Sequence, residues 1–331
     1  MSGDHGLPVA VDGALAALRE HPGLHLILVG DASAIEAALR ARKAWPEPRL
    51  EIQAASEVVG MDELPSKALR GKRDSSMRVA IDLVKEGRAR AAVSAGNTGA
   101  LMAMARFVLK MLPGIDRPAI ISAIPSVYGH THMLDLGANA ECSAEQLVQF
   151  AVMGSALATA QGAKNPKVGL LNIGEEEIKG SETIQRAHAM LQQAASLNYI
   201  GFVEGDDVFL SDIDVVVCDG FTGNVALKTG EGVAKLIRHF MREEFSRNLL
   251  HKMAAVAAYP ALSSLAKRMD PRRYNGASLL GLRGTVVKSH GGADALAFSR
   301  AIGVALREVQ QDVPGRIAAL LPPTPDAASP R

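Results

Sequence analysis

The sequence predicts a doubly wound α/β fold, one sheet with helices on both faces. Three observations predict it. Short apolar runs alternate with amphipathic helical stretches along most of the chain. Several of those runs are apolar throughout, as strands buried on both faces are. The composition, 48% hydrophobic but only 4% aromatic, with 31 glycines in 331 residues, favours tight helix–sheet packing over an aromatic-rich β-sandwich.

Strands are expected at 24–30 (LHLILVG), 49–55, 89–96, 119–125, 132–137, 167–174, 199–205 and 213–220 (IDVVVCDG). Helices lie between most of them. In the stretch 74–87, Asp74 or Ser75 can cap the start, Val79, Leu83 and Val84 form an apolar face, and Gly87 stops the helix. After Asn224 a long helical stretch carries Val233, Ile237, Phe240 and Met241 on one face. It is followed by MAAVAAYPAL (253–262), ten uncharged residues broken by Pro260. Residues 1–320 read as a single α/β domain with a helical hairpin at 233–274. The Pro/Ala/Ser-rich end, 321–331, reads as disordered.

Bulk properties exclude several classes. A net charge of +1 gives no pull toward nucleic acid. Cys142 and Cys218 make neither a disulfide framework nor a metal spacing, which fits a reducing cytoplasm, and both read as buried thiols. No segment approaches the ~20 apolar residues of a membrane span, and MSGDHGLP is not a signal peptide. P-loop, dinucleotide and serine-hydrolase motifs are absent. His130 and His132 share a strand face, and a structural role outweighs a metal pair there.

Four strand ends open into Gly-rich turns leading to helices, at 94–107, 135–150, 172–191 and 218–232. Such turns bring helix N-termini to an anion. The third, NIGEEEIKGSE, holds Glu175, Glu176, Glu177 and Lys179. The acids read as a solvated loop or as complements to the helix dipole. Lys179 reads either as a phosphate ligand or as a surface lysine paired with a neighbouring glutamate. The tip 253–262, collared by basic residues, suits either an anionic membrane surface or a dimer interface.

Taken together, SEVVGMDELPSKALRGKRDSSMRVA (56–80), VSAGNTGALMA (93–103), GIDRPAI (114–120), DLGANAEC (135–142), NIGEEEIKGSE (172–182), GFVEGDD (201–207), DVVVCDGFTGNVALKT (214–229) and GASLLGLRG (276–284) resemble the bacterial phosphate acyltransferases of phospholipid synthesis. The resemblance runs to about Gly303. It implies an isocitrate/isopropylmalate dehydrogenase-like fold, also similar to phosphotransacetylases. It implies transfer of a fatty acyl group from acyl-[acyl-carrier protein] to inorganic phosphate, with no cofactor and no metal. It further implies a cytoplasmic homodimer attached peripherally to the membrane through the hairpin.

Carried onto this sequence, the resemblance makes Lys179 and Asn224 catalytic. Phosphate and substrate contacts are expected from the turns, at Gly96, Asn97, Thr98, Gly99, Asn139, Gly174, Gly220, Thr222 and Gly223. Membrane contact is expected at Met253, Val256, Tyr259 and Leu262. Arg238, Arg242, Arg247, Lys252, Lys267, Arg268, Arg272 and Arg273 are the expected dock for the acidic carrier protein. The chain departs from the family at its start: the family opens with an apolar strand ending in a block like DAMGGDHGP, and here Met1 falls inside that block, so a buried parallel strand is expected to be missing. Alternative readings are a coenzyme A-dependent phosphotransacetylase, a dehydrogenase of the related fold, and a membrane-surface scaffold without catalysis.

Overall fold

The structure, a computed structural model, describes residues 3–268 and 270–321. The chain forms α1 (Gly6–Glu20), β1 (Leu26–Gly30), α2 (Ala32–Ala41), β2 (Leu50–Ala54), α3 (Pro65–Gly71), α4 (Ser76–Lys85), β3 (Ala91–Ser94), α5 (Thr98–Leu109), β4 (Ala119–Ser126), β5 (Gly129–Leu134), α6 (Ala144–Ala160), β6 (Lys167–Leu171) and α7 (Glu182–Gln192). It continues through β7 (Asn198–Val203), α8 (Asp207–Leu210), β8 (Val215–Val217), α9 (Gly220–Ser246), α10 (Leu249–Arg268), a 3-10 turn (Pro271–Tyr274), β9 (Ala277–Leu280), β10 (Thr285–Lys288), α11 (Ala295–Gln310) and α12 (Val313–Leu320). All eight expected strands are present, and β9 and β10 are additional. The tail expected to be disordered lies, from residue 322 on, outside the described residues.

The main sheet runs β3-β10-β9-β4-β5-β8-β6-β7, and β1 and β2 form a separate parallel pair. Helices cover both faces, as expected, but the sheet is mixed. β10 is antiparallel to β9, β9 to β4, and β4 to β5, whereas β5, β8, β6 and β7 are mutually parallel. The reversal has a simple cause. Only Val127 and Tyr128 separate β4 from β5, and a parallel return needs a crossover of about a dozen residues or more.

The all-apolar strands divide their side chains between two cores. On β8, Val215 and Val217 pack with Phe150, Met153 and Leu157 of α6, while Val216 packs with Leu101 and Met104 of α5. On β5, Leu134 joins the first core and Met133 the second. This period-2 alternation is why these strands read as continuous apolar runs. Of the two possible caps of α4, Ser75 is used; its Oγ accepts from the Arg78 N–H at 3.3 Å.

α9 and α10 pack on each other as a helical hairpin, and no residue of α10 is buried. The helix break falls at Arg247–Asn248, where the Asn248 side chain accepts from the His251 N–H at 2.9 Å. Pro260 was expected to break the second helix, but α10 continues through it. Among the described residues, no helix is long and apolar enough to cross a membrane.

Glu308 of α11 is buried, and its carboxyl meets the Ser278 hydroxyl of β9. Burial pushes its pKa from 4.5 to about 7. The folded state therefore holds this proton up to about pH 7, while the unfolded chain releases it near 4.5. Stability is expected to fall as pH rises through that window, by at most ~3 kcal/mol, and to stay level above it. Glu308→Gln should flatten that part of the profile, measured by urea unfolding between pH 4.5 and 8.

Candidate active site

At the end of β5 the chain turns through Asp135, which is fully buried. Its carboxylate accepts from the backbone N–H groups of Ile120 (2.9 Å), Gly137 (3.3 Å), Ala138 (3.0 Å) and Asn139 (2.7 Å), and from the Asn139 side-chain amide (2.9 Å). Burial pushes the Asp135 pKa up, and these donors pull against it.

The start of α9 rests directly on this turn. The Gly220 N–H donates to the Asn139 carbonyl at 2.8 Å. A Cβ on Gly223 would lie 2.0 Å from the Asp135 carbonyl oxygen, so only glycine permits this approach. The next residue, Asn224, is exposed and sits beside Gly137 in the first turns of α9.

The loop after β6 is closed by Asn172. Its amide donates to the carbonyls of Gly174 (3.1 Å) and Lys179 (3.2 Å), drawing the two ends of the EEE segment together. Gly180 completes the turn at φ +95°. Lys179 Nζ pairs with Glu176 at 2.6 Å, and that bond raises the lysine pKa, with a further contribution from Glu204. Gly174 lies directly beneath: a Cβ there would fall 2.5 Å from Nζ. β6 and β8 are neighbours, with Leu170 opposite Val217. The Lys179 loop and the Asn224 helix therefore leave the sheet about 4.8 Å apart, at one edge.

The family described as "Fatty acid synthesis protein" matches residues 1–316. Relatives named "Phosphate acyltransferase" include those of Alkalilimnicola ehrlichii, 61% identical over 96% of this chain and 93% of that protein, and Methylococcus capsulatus, 59% identical over 96% and 94%. This chain belongs to the phosphate acyltransferase family. It is accordingly an enzyme of the acyltransferase class. The same fold occurs in a phosphotransacetylase from Streptococcus pyogenes (TM-score 0.64, 16% identity, 92% of this chain and 91% of that one). It also occurs in the EutD phosphotransacetylase from Staphylococcus aureus (TM-score 0.61, 17% identity, 91% and 92%).

In this phosphate acyltransferase family member, the four strands that lead into the Gly-rich helix entrances do not all point the same way. β3 runs antiparallel to β5, β6 and β8, so Gly96, Asn97, Thr98 and Gly99 follow a strand that points the opposite way from those that precede Lys179 and Asn224. Each entrance is also capped by its own side chain. Asn97 caps α5, Ser143 caps α6, Ser181 caps α7 and Asp219 caps α9. Asp219 accepts from the Thr222 N–H (2.7 Å) and hydroxyl (3.1 Å), placing a carboxylate where an anion was expected.

The Asn97 amide holds the carbonyls of Met61 and Glu63, both at 2.9 Å, and Gly99 packs on Pro65. The buried Asn139 amide is engaged by Asp135 and by the Pro118 carbonyl at 2.8 Å. Asn97, Asn139, Gly99, Gly220 and Gly223 thus all make contacts within the protein that shape these turns.

Two residues the sequence reading passed over shape these turns, Asp135 and Asn172, and the expected pairing of Lys179 with a neighbouring glutamate is present, with Glu176. The available signal was an acid at a strand end followed at once by a glycine. Cys218 is buried as expected but Cys142 only half-buried; desolvation raises both thiols, Cys142 to about 11 and Cys218 well up, so neither is a thiolate near neutral pH. His132 is buried, its pKa pushed down to about 4, with His130 edge-on at 4.9 Å, the structural role expected. No group of three or more metal-ligating side chains occurs among the described residues.

On the hairpin, Met253, Val256 and Tyr259 are 62–77% exposed, but Leu262 is half-buried. Arg238, Arg242, Lys252, Lys267 and Arg268 are exposed. Arg247 is exposed beside Glu244, and the Arg273 guanidinium reaches the Lys267 carbonyl. Arg272 is engaged by Asp270 at 2.6 Å and Asp294 at 3.0 Å, and so leaves the group of free cations.

Proposed function

We propose that this chain transfers a fatty acyl group from acyl-[acyl-carrier protein] to inorganic phosphate, giving an acyl phosphate. The observation that carries this reading is Lys179 and Asn224 at the ends of the neighbouring strands β6 and β8. A phosphate oxygen attacks the thioester carbonyl carbon; a C–O bond forms, the tetrahedral intermediate collapses and the C–S bond breaks. A substantial fraction of phosphate is already dianionic near neutral pH, where phosphate groups undergo their second ionisation. The thiolate, of an acid with pKa about 8.5, leaves without a strong general acid and takes its proton from water. What remains for the protein is positioning and oxyanion stabilisation. Lys179 holds the phosphate; Asn224 donates to the oxyanion or orients the nucleophile. Phosphate-dependent release of free carrier protein tests the donor. Faster turnover with acyl-coenzyme A would favour the phosphotransacetylase reading.

The exposed cations of the hairpin form the dock for the acidic carrier protein; charge reversal at Arg238 and Arg242 that leaves carrier affinity unchanged would remove that assignment. The chain works as a cytoplasmic homodimer at the membrane surface, with no cofactor consumed. The exposed row Met253, Val256 and Tyr259 supports the membrane contact. Val256→Asp combined with Tyr259→Asp should lower co-sedimentation with anionic vesicles at least ~10-fold while leaving turnover in solution unchanged. Unaltered vesicle binding would assign the row to the dimer interface instead.

A further inference from the structure

Two sequence blocks, GIDRPAI (114–120) and GASLLGLRG (276–284), each bring an exposed arginine, Arg117 and Arg283, that the proposed chemistry leaves unused. β4 starts where β5 ends, with Ile121 opposite Leu134, and β9 ends beside that start, with Leu280 opposite Ala119. β8 runs parallel to β5 and ends with it. The turn carrying Arg283, the segment carrying Arg117, the Asp135 turn and the Asn224 helix therefore follow one another along one sheet edge. At about 4.8 Å per strand, the Arg117 segment lies about 10 Å, and the Arg283 turn about 14 Å, from the strand that leads into Asn224.

Lys110 joins this row, its carbonyl accepting from the Arg283 N–H at 3.1 Å. Arg117 is tied closely to the site. The carbonyl of the next residue, Pro118, accepts from the Asn139 amide at 2.8 Å, and the Asn139 carbonyl accepts from the Gly220 N–H that opens the Asn224 helix. Lys110, Arg117 and Arg283 are all exposed, and none of them is ion-paired among the described residues. Asp116, the acid beside Arg117, is held instead by the Gln149 amide at 3.0 Å. Phe107 is 54% exposed in the same row, with Lys110 Nζ 4.8 Å from its ring centre.

The edge changes sign across the site. Glu141 is exposed after β5, Glu175 and Glu177 are exposed after β6, and Glu204 and Asp206 are exposed after β7. A field split in this way orients a charged partner, drawing an acidic face to one side and repelling it from the other. The exposed aromatic beside the cations suits a protein face rather than a small anion. The hairpin cations stand farther off: about 21 Å of helix, at about 1.5 Å per residue, separates Asn224 from Arg238.

We infer that Lys110, Arg117 and Arg283 form an orienting edge for the acidic carrier protein, seating its acidic face on the β4–β9 side of the site. The hairpin cations hold the same partner farther out. The inference rests on the proposed transfer from a carrier-bound thioester and adds the face on which that donor sits. Its test measures KM for acyl-[acyl-carrier protein] and for phosphate in wild type, in Lys110→Glu combined with Arg117→Glu, and in Arg117→Lys, with urea unfolding to show that each is folded. The reversed pair should raise KM for the carrier thioester at least ~10-fold and KM for phosphate less than ~3-fold, while Arg117→Lys stays near wild type. Binding of the unacylated carrier to wild type should weaken as salt rises, a second reading that needs no variant. Wild-type KM for the carrier thioester in the folded reversed pair, or carrier binding indifferent to salt, would overturn the inference. So would an equal rise in KM for phosphate, which would make the cations phosphate ligands, and an equal loss in Arg117→Lys, which would make Arg117 structural. If wild type shows no phosphate-dependent release of carrier, the transfer reading itself fails and takes the inference with it.

Discussion

Lys179→Ala and Asn224→Ala are each expected to lower phosphate-dependent turnover by about 10²–10³, the scale of removing one donor to a developing oxyanion. The two losses should differ in kind. Lys179 has a single ionic partner, Glu176, on its own loop, so the alanine variant removes a phosphate ligand without opening the core. It should raise KM for phosphate as well as lowering kcat. Asn224 is exposed and stands on a helix start held by Gly220 and Gly223 rather than by its own side chain. Its loss should fall on kcat. Steady-state kinetics on both variants, with unfolding curves to show that the fold is intact, provides the measurement. Near-normal turnover in both folded variants would remove them from the mechanism.

Asp135→Ala should cost at least ~4 kcal/mol of stability, in the range reached when a buried hydrogen-bond network is broken. The carboxylate is the common acceptor for four backbone N–H groups and one side-chain amide. Truncation leaves those donors unpaired in the interior, at about 1–3 kcal/mol each before relaxation or water entry. Asp135→Asn keeps one acceptor oxygen but turns an NH2 toward donors, and should recover only part of the loss. Urea unfolding of the three proteins checks this. A loss below ~1 kcal/mol for the alanine variant would mean that water replaces the carboxylate, and that the turn carrying α9 is not held as described.

Much of the fold was legible because buried strands announce themselves. VVV at 215–217 and KVGLL at 167–171 are apolar on consecutive residues because both faces meet helices. β9 and β10, of four residues each, were missed although β3 and β8 are no longer. The strand directions were within reach: the expected strands at 119–125 and 132–137 lie too close for a parallel crossover. Following that through would have shown that the strand before Gly96–Gly99 points the opposite way from the one before Lys179.

The site itself was half legible. Lys179 and Asn224 came from motif resemblance, and both reach the same sheet edge. At the helix entrances, Asn97, Ser143, Ser181 and Asp219 each already accept from one backbone N–H. Sequence shows that a helix start is available; it does not show whether the cap is already filled. Glu176 was visible as one of three acids, but only the loop closure by Asn172 selects it as the partner of Lys179.

The central claim is that the Lys179 loop and the Asn224 helix act together on phosphate and a carrier-bound acyl thioester. The most direct test is release of free carrier protein from a long-chain acyl-[acyl-carrier protein] as inorganic phosphate is titrated, with wild type and Lys179→Ala run side by side. The account predicts saturable, phosphate-dependent release by wild type, and a response reduced about 10²-fold or more in the variant. Release that does not depend on phosphate, or that is equal in the two proteins, would contradict it.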